Sequence, residues 1–115
     1  MSQAIKFDCC HGEERFNNIV KCPECGIECC HPVRFLMTPP GPLKGEMEIT
    51  NESFRIDDKA PPVMRGVHFQ IDFVCEGNHG FTYALHFHKG ATFIVGPVLR
   101  EEIMDEVGCT TIWRD

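Results

Sequence analysis

Two neighbouring segments of the chain alternate strictly between apolar and polar positions. In residues 67–75 every odd position is apolar or cysteine, and in residues 81–88 the odd positions are apolar again. A period of two residues is typical of β-strands, whose successive side chains point to opposite faces of a sheet. The short link at residues 76–80 therefore predicts an antiparallel hairpin.

Shorter apolar runs predict further strands on both sides of this hairpin. Two runs that change phase across residues 50–53 indicate a pair of strands joined by a turn. Proline and glycine make residues 38–45 and 57–66 predicted loops, because neither residue type sustains a helix or a sheet ladder. The further predicted strands are residues 33–37, 47–49, 54–56, 92–95 and 110–113.

One segment has the period of a helix. Leu99, Ile103 and Val107 recur every four residues behind Pro97, and Gly108 provides a stop, which predicts a helix at about residues 97–108. Residues 1–17 show no clear period and are predicted to be an irregular arm. The predicted fold is mainly β, with residues 18–115 forming a single domain built on an antiparallel β meander with one short C-terminal helix.

Composition adds expectations about environment. At 115 residues, with 43% hydrophobic and 24% charged residues, the chain has the composition of one soluble globular domain. Its start lacks a basic region followed by an apolar stretch, and the nearly uncharged run at residues 90–99 is too short to cross a membrane. We therefore expect a cytoplasmic protein whose eight cysteines bind metal rather than form disulfides.

The balance of charge bears on the partner. The formal net charge is −6, with 11 basic residues against 17 acidic ones and no basic run. This balance disfavours general coating of nucleic acid, which depends on cations that neutralise phosphates. A protein is the expected partner. Nucleic-acid binding stays open as the alternative and would need a local cationic patch; the candidates are Arg34, Arg55, Lys59, Arg65 and Lys89.

Two cysteine-containing pairs have the spacing of a metal site. Cys22 and Cys25 are separated by two residues and followed by Gly26, while Cys75 and His79 stand at the predicted hairpin tip. Together they supply three thiolates and one imidazole, a tetrahedral set that is typical of structural Zn²⁺ and leaves no position for water. The CPxC motif also occurs in thiol oxidoreductases, but there it opens a helix, and no helical period follows here.

Other cysteines and histidines leave alternatives open. Cys30 either packs as a small hydrophobic side chain, with Cys29 and His31 facing outward, or one of these three residues replaces His79 as the fourth ligand. A third alternative is a second metal shared with the similar Cys-Cys-His tripeptide at residues 9–11; its members are Cys9, Cys10 and His11.

Three histidines lie on the polar side of the predicted hairpin. Pairing the strands about the tip places His68 opposite His88 and Gln70 opposite His86, with Asp72 on the same face. The simplest interpretation is a solvated face. A second metal or an acid–base site, and a histidine-rich contact surface, are the alternatives. No catalytic residue is predicted, and a metal-dependent enzyme using His68, His86 and His88 ranks behind both binding hypotheses.

Three motifs in order resemble a family of small, largely uncharacterised bacterial and phage zinc-ribbon proteins. They are CPECG at residues 22–26, FVCEGNH at 73–79 and FHKGATF at 87–93. The resemblance covers about residues 18–96 and implies a zinc-ribbon-like β fold with Cys22, Cys25, Cys75 and His79 as ligands and no established catalytic activity. The helix at 97–108 departs from the family pattern. With Met104 and Trp113 it either docks on the sheet or mediates formation of a homodimer.

Overall fold

The computed structural model describes residues 19–40, 43–50, 52–61 and 66–107, which form a six-stranded antiparallel open sheet with one short helix. The strands are β1 (Cys30–Thr38), β2 (Glu46–Thr50), β3 (Phe54–Asp57), β4 (His68–Cys75), β5 (Gly80–His88) and β6 (Ala91–Leu99), and the helix is α1 (Glu102–Val107). The prediction of a mainly β fold is confirmed. The predicted arm at 1–17 and the predicted strand at 110–113 lie outside the described residues.

Strand order explains how the two halves of the chain meet. The order across the sheet is β3-β2-β1-β4-β5-β6, so β1–β3 and β4–β6 are two meanders joined by antiparallel pairing of β1 with β4. Val33 is an extra residue in β1, because Pro32 pairs with Phe73 while Arg34 pairs with Asp72. This bulge turns Val33 toward Val74 and Ile103, where it is fully buried.

Each face of the sheet carries a small core. On the face that we call the helix face, Ile103 of α1 packs against Val33 and Val74. On the opposite face, which we call the aromatic face, Phe81 packs with Cys22 and Cys75. Ring contacts extend this second cluster: the centroids of Phe73 and Phe81 are 5.4 Å apart, those of Phe73 and Tyr83 5.8 Å, and those of Phe35 and Phe69 6.2 Å.

The predicted start of the helix is wrong. A helix was predicted for about residues 97–108, whereas α1 begins at Glu102 and residues 97–99 belong to β6. Leu99 pairs with Phe81, and the Arg100 N–H donates to the Gly80 carbonyl at 2.9 Å. Pairing with β5 thus supplies the backbone hydrogen bonds that these residues would otherwise have made in a helix. Pro97, which has no N–H to donate, is tolerated because β6 is an edge strand. Ile103 and Val107, from the same periodic set, do lie in α1.

A buried carboxylate connects the sheet to the helix. Asp72 is fully buried, and its side chain accepts hydrogen bonds from Arg34 Nε at 2.7 Å, Thr82 Oγ1 at 2.6 Å and Gln70 Nε2 at 3.0 Å. Arg34 also donates to Glu106 of α1 at 2.6 Å. Burial opposes the charge of Arg34, but its bonds to Glu106 and Asp72 outweigh this and raise its pKa above the ordinary value. The network therefore holds α1 against the sheet.

A membrane-crossing helix would need about 20 predominantly apolar residues. The described part of the chain contains none.

Candidate metal centre

The first ligand pair lies in a tight turn ahead of β1. The Cys22 N–H donates to the Ile27 carbonyl and the Gly26 N–H to the Cys22 carbonyl, each at 2.9 Å. Gly26 has a φ of +77°, a left-handed conformation that glycine adopts without a steric penalty. This turn reverses the chain between Cys22 and Ile27, and the sulfurs of Cys22 and Cys25 both lie within 4.8 Å of Cys75 Sγ at the end of β4.

The second candidate ligand pair lies in the tip of the β4–β5 hairpin, which forms a turn one residue shorter than the first. The Cys75 N–H donates to the His79 carbonyl at 3.0 Å, and the Asn78 N–H donates to the Cys75 carbonyl at 2.9 Å. Asn78 has a φ of +67°, which asparagine tolerates better than most residues. The tip therefore brings Cys75 and His79 to one side of the chain.

Strand pairing brings the two turns together across the 49 residues that separate them in sequence. Cys30, at the start of β1, is the register partner of Cys75, at the end of β4. Beyond this pair the Glu76 N–H donates to the Cys29 carbonyl at 3.0 Å. The strands β2 and β3 occupy the intervening sequence but lie on the far side of β1, so they do not separate the turns.

The four predicted ligands converge on one point. The Sγ atoms of Cys22, Cys25 and Cys75 and a ring nitrogen of His79 all lie within 4.8 Å of one another. Cys25 Sγ and Cys75 Sγ are 3.8 Å apart, and Cys75 Sγ and His79 Nδ1 are 3.4 Å apart. Tetrahedral bonds of about 2.3 Å to sulfur and 2.0 Å to nitrogen would give edges of about 3.8 and 3.5 Å. The group therefore has the donors and the spacing to bind a metal ion.

The surroundings of Cys22 favour the thiolate form of its side chain. Burial would raise the pKa of the Cys22 thiol, but backbone N–H groups of Cys25 and Glu24 and the neighbouring thiols lower it to about 7. The Glu24 N–H lies 3.4 Å from Cys22 Sγ, and the Gly77 N–H lies 3.2 Å from Cys75 Sγ. Burial raises the pKa of Cys75, with the facing sulfurs of Cys22 and Cys25 acting in the same direction.

The remaining cysteines in the described ranges stay outside this cluster. Cys30 Sγ donates to the Ile27 carbonyl at 3.2 Å, and burial, together with the charges of Cys75 and Cys22, raises its pKa to about 11. Cys30 therefore remains a neutral, packed thiol, whereas Cys29 is exposed. His31 Nε2 lies 2.9 Å from a carboxylate oxygen of Glu76. The alternative that joins Cys9, Cys10 and His11 in a second metal site falls outside the described residues.

The predicted histidine cluster is wrong in its register. His68 pairs with His86 instead of His88, and Gln70 pairs with Ala84. The cause is Gly80, which belongs to β5 and pairs with Val74 instead of lying in the predicted link at 76–80, so the register moves by two residues. The rings of His68 and His86 stack at 6.0 Å. His88 instead pairs with Ala91, beyond the β5–β6 turn.

Asp72, the carboxylate on the same face as these histidines, forms hydrogen bonds with other side chains. Asp72 is held by Arg34 and Thr82, while His68 Nε2 lies 3.5 Å from Gln70 Oε1. The sequence showed Asp72 only as a polar position of β4. Arg34 lies 38 residues before Asp72 and 72 residues before Glu106, so no local pattern could have identified the network.

Two of the five cations proposed for a nucleic-acid surface, Arg34 and Arg55, are paired within the chain. Arg34 bonds to Asp72 and Glu106, and Arg55 donates to Glu46 at 3.0 Å and to Glu48 at 3.2 Å. Lys59 and Lys89 are exposed, and Arg65 lies outside the described residues.

Neither a family model nor a curated protein nor a solved structure matches this chain significantly.

Proposed function

We propose that this chain is a small zinc-binding β domain in which Cys22, Cys25, Cys75 and His79 hold one structural Zn²⁺. The observation that carries the proposal is the convergence of their four ligand atoms within 4.8 Å. Three sulfurs and one imidazole nitrogen are a common ligand set of structural zinc and complete its tetrahedral coordination. Such a site has no open position at which a water or substrate would be activated.

The position of the site supports a structural role. It joins the turn before β1 to the β4–β5 tip, where the aromatic-face core is formed by Phe81, Cys22 and Cys75. Only six hydrophobic side chains within the described ranges are buried. Structural zinc contributes folding free energy on the order of 10 kcal/mol, which is large compared with what so small a core provides.

We infer that the domain acts as a binding module and that its partner is a protein. The net charge of −6 and the internal pairing of Arg34 and Arg55 support a protein over nucleic acid. The resemblance to small zinc-ribbon proteins supports the same architecture. Nucleic-acid binding is the weaker alternative, because pairing of Arg34 and Arg55 leaves few cations for the suggested patch. Among the described residues, Lys59 and Lys89 are the members of that patch without an ion pair.

Metal content and thermal unfolding test the zinc site together. Reduced protein should contain one zinc per chain by elemental analysis. Cys25→Ser removes an exposed ligand and should lose the ion, whereas Cys29→Ser, a neighbouring exposed cysteine outside the cluster, should retain it. A chelator should abolish the cooperative thermal transition of the wild type. Metal-free protein that unfolds cooperatively at an unchanged temperature would refute the proposal.

A further inference from the structure

One of the two edges of the sheet is formed by β6, a long strand without charged residues. All nine residues of β6 (ATFIVGPVL) are exposed. Ile94 is the most exposed of its large apolar side chains, at 75%, and Phe93, Val95, Val98 and Leu99 are exposed as well. Within the described ranges no strand pairs with the outer side of β6.

The opposite edge of the same sheet is protected. The edge strand β3 is only four residues long, and Arg55 and Asp57 alternate with its two apolar residues. Arg55 also bridges to Glu46 and Glu48 of β2. Short length and charge are the usual means by which proteins prevent an edge strand from pairing with another chain. In β6, residues 91–95 have neither kind of protection.

The backbone of β6 presents unpaired hydrogen-bonding groups at two positions. The two-residue turn Lys89–Gly90, with φ values of 51° and 82°, makes His88 and Ala91 the first hydrogen-bonded pair. Because hydrogen bonding alternates along an antiparallel ladder, Phe93 also bonds to β5. Thr92 and Ile94 therefore direct their N–H and C=O groups away from the sheet. Near Gly96 the register shifts, which ends the regular edge.

The chemistry of this edge fits a second copy of the chain. Two chains of charge −6 repel each other, and a symmetric contact is favourable only where no like charges oppose. β6 contains no charged residue, so it can face itself across a two-fold axis. The outward backbone groups of Thr92 and Ile94 are also placed symmetrically about Phe93, so two copies of the strand related by a two-fold axis satisfy each other's hydrogen bonds.

We infer that the protein forms a homodimer in which two β6 strands pair antiparallel and join the two sheets into one. The two-fold axis passes beside Phe93, so that Thr92 faces Ile94 of the partner subunit and the two residues exchange backbone hydrogen bonds. The two Phe93 rings then meet on the helix face, where each already lies 5.8 Å from His86. This contact uses no residue of the metal centre, so it stands or falls separately from the zinc proposal.

Light scattering after size-exclusion chromatography tests the dimer. We expect the wild type to have the mass of two chains. Ile94→Lys places two charges at the axis, and Thr92→Pro removes an outward N–H while leaving the ladder to β5 intact; both should reduce the mass to the 13.1 kDa of one chain. The matched control is Ile56→Lys on the β3 edge, where the side chain is 67% exposed; it should remain a dimer.

Hydrogen exchange locates the contact. In the wild type the amides of Thr92 and Ile94 should exchange slowly, and both should become fast in Ile94→Lys. Unchanged circular dichroism and metal content establish that the variants are folded. A wild type that is monomeric up to its solubility limit overturns the inference, whether another segment or another protein covers β6. A dimer that survives both β6 variants, or that only Ile56→Lys dissociates, overturns it too.

Discussion

Replacing the buried carboxylate of Asp72 by an amide should destabilise the domain much more than the size of the change suggests. Asp72→Asn keeps the shape of the side chain but removes its charge, while the Arg34 guanidinium stays in place with a side chain only 11% exposed. It also replaces an acceptor by a donor. If the new carbonyl accepts from Arg34, the new NH₂ group faces the Gln70 NH₂ group and the Thr82 hydroxyl, which both donate to Asp72 in the wild type.

The magnitude follows from what remains to compensate Arg34. Breaking a buried ion pair by removing one partner costs about 3–5 kcal/mol, because the other charge is left buried. Glu106 and Glu48 stay close to Arg34, at 2.6 and 3.9 Å, and offset part of this loss. We therefore expect the free energy of unfolding to fall by about 2–3 kcal/mol for Asp72→Asn. Asp72→Ala also loses the hydrogen bonds and should reach the upper part of the 3–5 kcal/mol range.

Urea unfolding with saturating zinc is the appropriate assay, because it separates this network from the metal centre. Glu102→Gln is the matched control: its exposed carboxylate lies 3.8 Å from Arg100, and it should change the unfolding free energy by less than ~1 kcal/mol. Arg34→Met combined with Asp72→Asn should cost less than the sum of the two single changes. If Asp72→Asn costs no more than Glu102→Gln, the network does not hold α1 as described.

Three further substitutions probe other parts of the structure. Gly80→Ala should lower the free energy of unfolding in urea by about 2 kcal/mol, because the added Cβ would lie 2.6 Å from the Arg100 carbonyl oxygen. An unchanged free energy would contradict this close approach. Ile103→Ala should cost about 2–5 kcal/mol in the same assay, since its side chain is fully buried; a cost below ~1 kcal/mol would mean that α1 packs loosely. Cys30→Ala should retain one zinc per chain by elemental analysis, and loss of the ion would show that Cys30 is a ligand.

The strands and the two candidate ligand pairs were predictable because both depend on local spacing. Alternation located β4 and β5 to within one residue at each end, although the apolar positions Leu85 and Phe87 are exposed in the structure. The pairs Cys22/Cys25 and Cys75/His79 were identified by spacings that let two donors reach one ion. Local spacing does not reveal that β1 pairs with β4, and it is this strand pairing that brings Cys22 and Cys25 close to Cys75 and His79.

The errors arose where pairing between distant segments decided the outcome. Residues 97–99 have a pattern compatible with a helix, but pairing with β5 draws them into β6. The hairpin register was wrong by two residues, because it depends on a hydrogen bond between Cys75 and His79 that the sequence does not show. One displaced register was enough to separate His88 from His68.

The pairing of Thr38 with His68 means that the segment between β1 and β4 is not needed to bring these two strands together. The last residue of β1 and the first residue of β4 are register partners, so the segment that contains β2 and β3 begins and ends at nearly the same point of the sheet. A tight turn in place of residues 39–67 would join β1 directly to β4 and leave a four-stranded sheet that still carries both cysteine turns and α1. The length and composition of the segment between β1 and β4 are therefore independent of the half of the domain that carries the four candidate ligands.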